Sequence, residues 1–121
     1  MSKKTILLLD NDVSLIELAY IIFQEYNYRI KPEQSSQDII SKVNLTKPDV
    51  ILIDSHISGE RAIIAIDILK HHRQFSKIPV ILMGTNFDIA KLALTTGADD
   101  FIAKPFDLYE FEQKIFKYIN Q

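Results

Sequence analysis

Residues 50–53 read Val-Ile-Leu-Ile, four apolar β-formers with no polar interruption, and Asp54 ends the run. A strand with no polar face has to be covered on both sides, which is the position of a strand inside a parallel sheet flanked by helices. Pro48 stands just before the run and stops any helix that precedes it. Ligands of open α/β sheets bind beyond the carboxyl ends of the strands, so Asp54 occupies a position suited to chemistry rather than packing.

The remaining segments repeat this arrangement. Residues 5–9 form a short β-like run that stops at Asp10-Asn11-Asp12. Asp12 can cap a helix in which Leu15, Ile16, Ala19, Phe23 and Tyr26 recur at helical spacing, with Asn27 as its stop. Residues 28–30 make a weak second strand, broken by Pro32 and suited to a sheet edge. Ser35 and Ser36 offer caps for a second helix through Ile39, Ile40 and Val43. Ser58-Gly59 marks a loop, and Ile63, Ile66, Ile68 and Leu69 belong to a third helix reaching about Arg73. Residues 79–83 are a fourth strand and 84–87 a loop; Asp88 then caps a short helix through Leu94, which Gly97 ends with a left-handed turn. Residues 101–103 are the fifth strand, cut off by Lys104-Pro105. Asp107 opens the last helix with Glu110 three residues on, a capping-box spacing, and Leu108, Phe111, Ile115 and Ile119 form its buried stripe. Glu110 and Lys114 are an i,i+4 pair on that helix. Five strands alternating with five helices predict an α/β fold, a doubly wound parallel sheet with right-handed crossovers and helices on both faces.

At 121 residues and 47% hydrophobic, the chain can bury one core and is cramped for two, so residues 1–121 are expected to form a single domain. The net charge of −2 and the scattered Lys and Arg give no basic field, which argues against direct nucleic-acid binding. Without cysteine there is neither a disulfide framework nor thiolate-based zinc or redox chemistry. The apolar run before Asp10 is too short for a signal segment or a membrane span, so a soluble cytoplasmic protein is expected.

If the strand order is 2-1-3-4-5, the flavodoxin-like order, Asp10 and Asp54 face each other across the crevice at the switch point. Two carboxylates in one pocket repel, and must share a proton, recruit a cation or receive a lysine; Lys104, at the end of the fifth strand, can reach in. A hard cation with oxygen ligands, magnesium above all, fits such a pair better than a soft metal, and magnesium on carboxylates points to phosphate chemistry. Other signals read more plainly. Asp54-Ser55-His56 looks like part of a hydrolase triad, but adjacent side chains on an extended strand diverge and no Gly-x-Ser-x-Gly elbow exists. His71-His72 suits a helix end. Tyr109 and Tyr118 fit either a partner surface or the shoulder of the last helix.

Three motifs carry a resemblance to one family. Leu9-Asp10-Asn11-Asp12 resembles the acidic cluster of the receiver domains of two-component response regulators, residues 49–54 their phosphoacceptor strand, and residues 97–106, Gly-Ala-Asp-Asp-Phe-Ile-Ala-Lys-Pro-Phe, their closing signature. The resemblance runs from Lys4 to about Tyr118 and implies the five-stranded receiver fold. It implies Asp54 as phosphoacceptor, Asp10 as an outer magnesium ligand, Lys104 as the cation on the phosphoryl oxygens, and the His56 backbone carbonyl as a further metal contact. It also implies a cis peptide at Lys104-Pro105 and Phe101 at the switch-aromatic position, with a plain core role as the competing reading of Phe101.

The sequence departs from that pattern at Asn11, where the family has a second acid on the metal, and at Gly84, where it has Ser or Thr facing the phosphoryl group. Asn11 can ligate but brings no charge, which weakens binding; Asp12 can compensate if the loop shifts. Thr85 is next to Gly84 but would need a local twist to stand in. Ser58 and Ala62 replace the usual proline and glycine after the acceptor. The expectation is phosphorelay signalling: a histidine kinase or phosphotransfer protein donates to Asp54 with Mg2+ bound, switching the face that a downstream protein target reads. The alternative is a pseudo-receiver, a protein-binding module independent of phosphorylation, which Asn11 and Gly84 keep open. A flavin-binding enzyme on this architecture fits poorly, since Asp10-Asn11-Asp12 would repel the cofactor phosphate. The chain is not expected to be an enzyme.

Overall fold

The computed structural model describes residues 3–85 and 88–120. Its elements run β1 (Thr5–Leu9), α1 (Val13–Gln24), β2 (Arg29–Glu33), α2 (Ile39–Thr46), β3 (Val50–Asp54), α3 (Ala62–Lys70), β4 (Val80–Gly84), α4 (Ile89–Thr96), β5 (Asp100–Ala103) and α5 (Leu108–Ile119). All neighbouring strands pair in parallel, in the order β2-β1-β3-β4-β5.

The unbroken apolar strands work by alternation. Leu7, Leu9, Ile51, Ile53, Val80 and Leu82 point to one face and pack with α2, α3 and α4. Ile6, Leu8, Val50, Leu52, Ile81 and Met83 point to the other and pack with α1 and α5. Because successive residues serve opposite layers, polar residues stand only at the ends of β1 and β3, at Thr5 and Asp54. Truncating one of them, as in Leu52→Ala, should cost about 2–5 kcal/mol. On the second face Phe23, Tyr26, Tyr28, Phe111 and Phe116 join α1, β2 and α5 through ring contacts of 4.9–6.4 Å.

Several local signals operate as the sequence predicts. Asp12 Oδ1 accepts from the Leu15 N–H at 3.3 Å and Asp107 Oδ1 from the Glu110 N–H at 2.7 Å, capping α1 and α5. Gly97 ends α4 at φ 84°. α1 stops earlier than the spacing predicts, at Gln24 with Glu25 as its cap, so Tyr26 lies outside the helix and Asn27, at φ 60°, is not its stop.

Others are overridden by tertiary contacts. β2 runs through Pro32, which pairs with Leu8; at a sheet edge the missing N–H is tolerated. Ser35 and Ser36 do not cap α2: it starts at Ile39 behind Asp38, a left-handed residue whose side chain makes no capping bond. α3 stops at Lys70 and buries Ala62, Ala65, Ile66 and Leu69, whereas Ile68 is turned outward. Leu108 is 46% exposed and does not belong to the α5 stripe. Lys114 reaches across to Asp100 at 2.7 Å, so its ion pair leaves the helix rather than joining Glu110. Gly84 is the last residue of β4, not loop, and Asn86 and Phe87 of the expected loop lie outside the described residues.

Candidate functional site

The parallel order brings the ends of β1, β3 and β5 to one edge of the sheet. Asp10 follows β1 directly; its N–H donates to the Glu33 carbonyl at 3.1 Å, its Oδ1 accepts from the Asp12 N–H at 2.9 Å, and it is only 2% exposed. Asp54 is itself the last residue of β3, opposite Met83. Lys104 follows β5, held by its N–H on the Gly84 carbonyl at 2.8 Å. Its Nζ lies 2.8 Å from Asp10 Oδ2 and 2.9 Å from Asp54 Oδ1. Burial by itself would pull the Lys104 ammonium down, but the hydrogen bonds and charges of Asp10 and Asp54 outweigh it and hold the group above its ordinary 10.5. The lysine is therefore a permanent cation between two acids, and one negative charge stays unbalanced.

Both carboxylates keep lone pairs for a further partner. Asp54 Oδ2 accepts only the His56 N–H among the hydrogen bonds of the described residues, at 3.0 Å. No group of three His, Cys, Asp or Glu side chains is placed to hold a metal among the described residues. The oxygen donors brought together at this edge are the carboxylates of Asp10 and Asp54. An all-oxygen set of this kind suits a hard divalent cation, held with less charge than three acids would provide. Asn11 is exposed and its Nδ2 donates to Ser58 Oγ at 3.3 Å, over the loop that follows Asp54.

Residues 54–57 form a turn closed by the Ile57 N–H on the Asp54 carbonyl at 3.1 Å. The turn corrects the expectation of divergence at Asp54-Ser55-His56, because Ser55 Oγ and His56 Nδ1 come within 3.2 Å of each other. A Cβ on Gly84 would overlap Ser55 Oγ and would lie 2.9 Å from Ile89 Cδ1 and 3.2 Å from Ser55 Cβ, so these two side chains would have to move to admit one. Thr85 is exposed. Phe101 is half-buried against the α2–α3–α4 core, with Lys114 Nζ 5.1 Å from its ring centre. The Lys104–Pro105 peptide is cis, as the closing signature implies.

Sequence reasoning missed Ser36. This fully buried residue donates its N–H to the Ser58 carbonyl at 2.8 Å and its hydroxyl to the carbonyls of Ser58 and Glu60. It thus ties the β2–α2 segment to the loop after Asp54, and Gly59, at φ 89°, passes so close that a Cβ would lie 2.8 Å from the Gln37 nitrogen. A Ser-Ser pair in a polar stretch carries no local sign of such a role.

Tyr118 is drawn inward, its hydroxyl donating to Asp100 Oδ2 at 2.8 Å, while Tyr109 is 73% exposed. Burial, then the Asp100 carboxylate, pushes the Tyr118 phenol up to about 12. Burial would raise the Asp100 carboxyl, but bonds from Lys114, Tyr118 and the Phe101 N–H lower it overall. His71 accepts or donates locally on α3, and His72 Nδ1 takes the N–H groups of Gln74 and Phe75, so the pair finishes a helix.

A family model described as the response regulator receiver domain matches residues 6–116. The DNA-binding response regulator MtrA of Mycobacterium tuberculosis (strain ATCC 25618 / H37Rv) is 27% identical over 115 residues, covering 93% of this chain and 49% of MtrA. The phosphate regulon transcriptional regulatory protein PhoB of Klebsiella pneumoniae is 26% identical over 115 residues, covering 93% of this chain and 50% of PhoB. The chain spans about half the length of the curated relatives it matches. Among solved structures, the BeF3-activated N-terminal receiver domain of Klebsiella pneumoniae RstA superposes with a TM-score of 0.85 at 18% identity, covering 98% of this chain and 100% of that one. The receiver domain of the sensor histidine kinase PA1611 from Pseudomonas aeruginosa, with a magnesium ion coordinated in its active-site cleft, gives 0.84 at 19% identity over 99% and 100% of the two chains. At such identities the likeness is one of fold. No helix of the described residues is long and apolar enough to cross a membrane.

Proposed function

This chain belongs to the response regulator receiver domain family, and from that premise we propose that it accepts a phosphoryl group on Asp54 from a histidine kinase or phosphotransfer protein. The observation that carries the reading is Lys104 Nζ held between Asp10 and Asp54 at the carboxyl edge of the sheet. Phosphoryl transfer asks a protein mainly for positioning and charge compensation, and this triad supplies both. An oxygen of the Asp54 carboxylate attacks phosphorus as the bond to the donor's imidazole nitrogen breaks, and the imidazole keeps the electron pair. Lys104 then turns from the Asp54 oxygen to the new phosphoryl oxygens without leaving Asp10. Mg2+, held by Asp10, Asp54, the Asn11 amide oxygen and the His56 carbonyl, would neutralise charge on the transferring group.

The output proposed is a shift in population between two arrangements of the face made by α4, β5 and α5, read by a downstream protein. The domain changes its own covalent state and turns over no separate metabolite. We place it in the cytoplasm as one domain, residues 1–121, with no contact of its own to nucleic acid or membrane.

The test is intact-protein mass after incubation with acetyl phosphate and Mg2+, beside Asp54→Asn. A phosphoryl adduct confined to the unmodified chain is expected. No adduct, together with no magnesium binding, would instead favour a phosphorylation-independent binding module.

A further inference from the structure

We propose that Ser55 supplies the hydroxyl that meets a phosphoryl group on Asp54, and that Gly84 is the glycine that makes room for it. The inference rests on Asp54 as acceptor.

A phosphoryl group has three charged oxygens, and Lys104 approaches them from the β5 side only. Strong O–H and N–H donors are needed elsewhere around it, because a charge-assisted hydrogen bond is about twice as strong as a neutral one. Thr85, Ser58 and Ser55 carry hydroxyls in the segments that follow β4 and β3. Thr85 is exposed beyond β4. Ser58 lies on the far part of the loop and accepts from Asn11. Ser55 directly follows Asp54 and is half-buried against the end of β4, with its N–H on the Met83 carbonyl at 2.7 Å.

Gly84 shows why Ser55 can sit there. Its φ is not in the left-handed region where Gly59 and Gly97 lie, so no backbone strain calls for glycine. Glycine within a strand otherwise weakens it, and its remaining use is to let another group approach. That group is Ser55, whose hydroxyl fills the space a Cβ on residue 84 would take. The side chain therefore reaches the β4 terminus from β3. Ser55 keeps the β3–β4 ladder, with its N–H on the Met83 carbonyl as that of Ile51 is on Pro79, so its side chain stands on the Gly84 and Ile89 side of the sheet; a phosphoryl group on Asp54 projects past the strand end, where a hydroxyl on that side can meet it. The hydroxyl is also available: its partner is the exposed His56 ring at 3.2 Å, and rotation about χ1 exchanges that long bond without orphaning a buried group.

The experiment compares the full chain with Ser55→Ala, Thr85→Ala and the exchange Ser55→Gly with Gly84→Ser. Each is titrated with beryllium fluoride and Mg2+, followed by 19F NMR, and phosphorylated with acetyl phosphate to measure yield and half-life of the Asp54 adduct by mass. Ser55→Ala should weaken beryllium fluoride binding roughly tenfold, Thr85→Ala should leave it unchanged, and the exchange should recover most of the loss. A merely structural Ser55 would not be rescued by a hydroxyl on β4. Unchanged binding in Ser55→Ala, or a loss in Thr85→Ala alone, overturns the proposal while the Asp54 adduct still supports the acceptor reading. Absence of any adduct in the unmodified chain overturns both.

Discussion

Lys104 Nζ stands 2.8 Å from Asp10 Oδ2, although 94 residues separate the two in the chain. The bond spans the ends of β5 and β1, with Asp54 of β3 as the other acid on the same nitrogen. One cation thus keeps two mutually repelling carboxylates close enough to act together, which makes Lys104 a stabilising group as well as a functional one.

Lys104→Met removes that cation and leaves Asp10 and Asp54 facing each other. It should lose about 1–3 kcal/mol of stability. Urea denaturation reads this out, and adding Asp54→Asn to the same chain should return part of the loss by removing one of the facing charges. No recovery would mean that lost packing of the lysine stem, not charge, is responsible.

Gly84→Thr places a hydroxyl on β4 but collides with Ser55 and Ile89. The single substitution should destabilise by about 1–3 kcal/mol through overpacking, and Ser55→Gly in the same chain should return part of it. A double-mutant cycle of thermal midpoints checks the coupling; strict additivity would show that the two positions do not compete for space.

Asn11→Asp adds a charge to the proposed metal site. Magnesium affinity, measured by calorimetry, should rise roughly tenfold, since ligand charge sets the affinity of hard cations. The Ser58 hydroxyl can donate to the new carboxylate, so the contact across the loop should survive. Identical affinities would mean that Asp12 or another donor already fills the place.

Ser36→Ala strips the loop after Asp54 of a hydroxyl bound to the Ser58 and Glu60 carbonyls. Leaving these acceptors without that donor should cost about 1–3 kcal/mol. Amide hydrogen exchange should quicken at residues 57–61 ahead of the sheet. Uniform acceleration everywhere would point to global destabilisation instead.

Tyr118 and Asp100 set opposite pH limits. The Tyr118 phenol ionises at about 12 in the folded chain against an ordinary 10.0, so its contribution is whole below pH 10 and is lost as the pH rises towards 12. Asp100 is lowered from 3.8, so its contribution is present above that value and is lost as the pH falls through the folded pKa. Tyr118→Phe should flatten the alkaline limb of the stability curve, and Asp100→Asn the acid limb. Absorbance titration of the tyrosines should show a late-ionising phenol that Tyr118→Phe removes, and no such difference between the two proteins would remove the first assignment.

Most of the architecture is legible in the sequence. Residues 50–53 have no polar face, so β3 has to be covered on both sides, and Asp54, Asp10 and Lys104 each follow from the end of an apolar run. Asp12, Gly97 and Asp107 act at helix ends through bonds to residues three or four positions away. Such signals survive because they depend on interactions within one turn of helix or one pleat of strand, where sequence spacing is spatial spacing.

The features that are not legible there involve partners brought together by register. Pro32 is tolerated because β2 lies at an edge, Lys114 turns from Glu110 to Asp100, and Ser36 serves a loop 22 residues away. Along the chain Gly84 reads as a missing hydroxyl; in the folded sheet it is the space that Ser55 fills. Periodicity and caps specify which segments become strands and helices and which acids end them. Only the assembled sheet decides which side chain fills the space beside which glycine, because that space belongs to two strands at once.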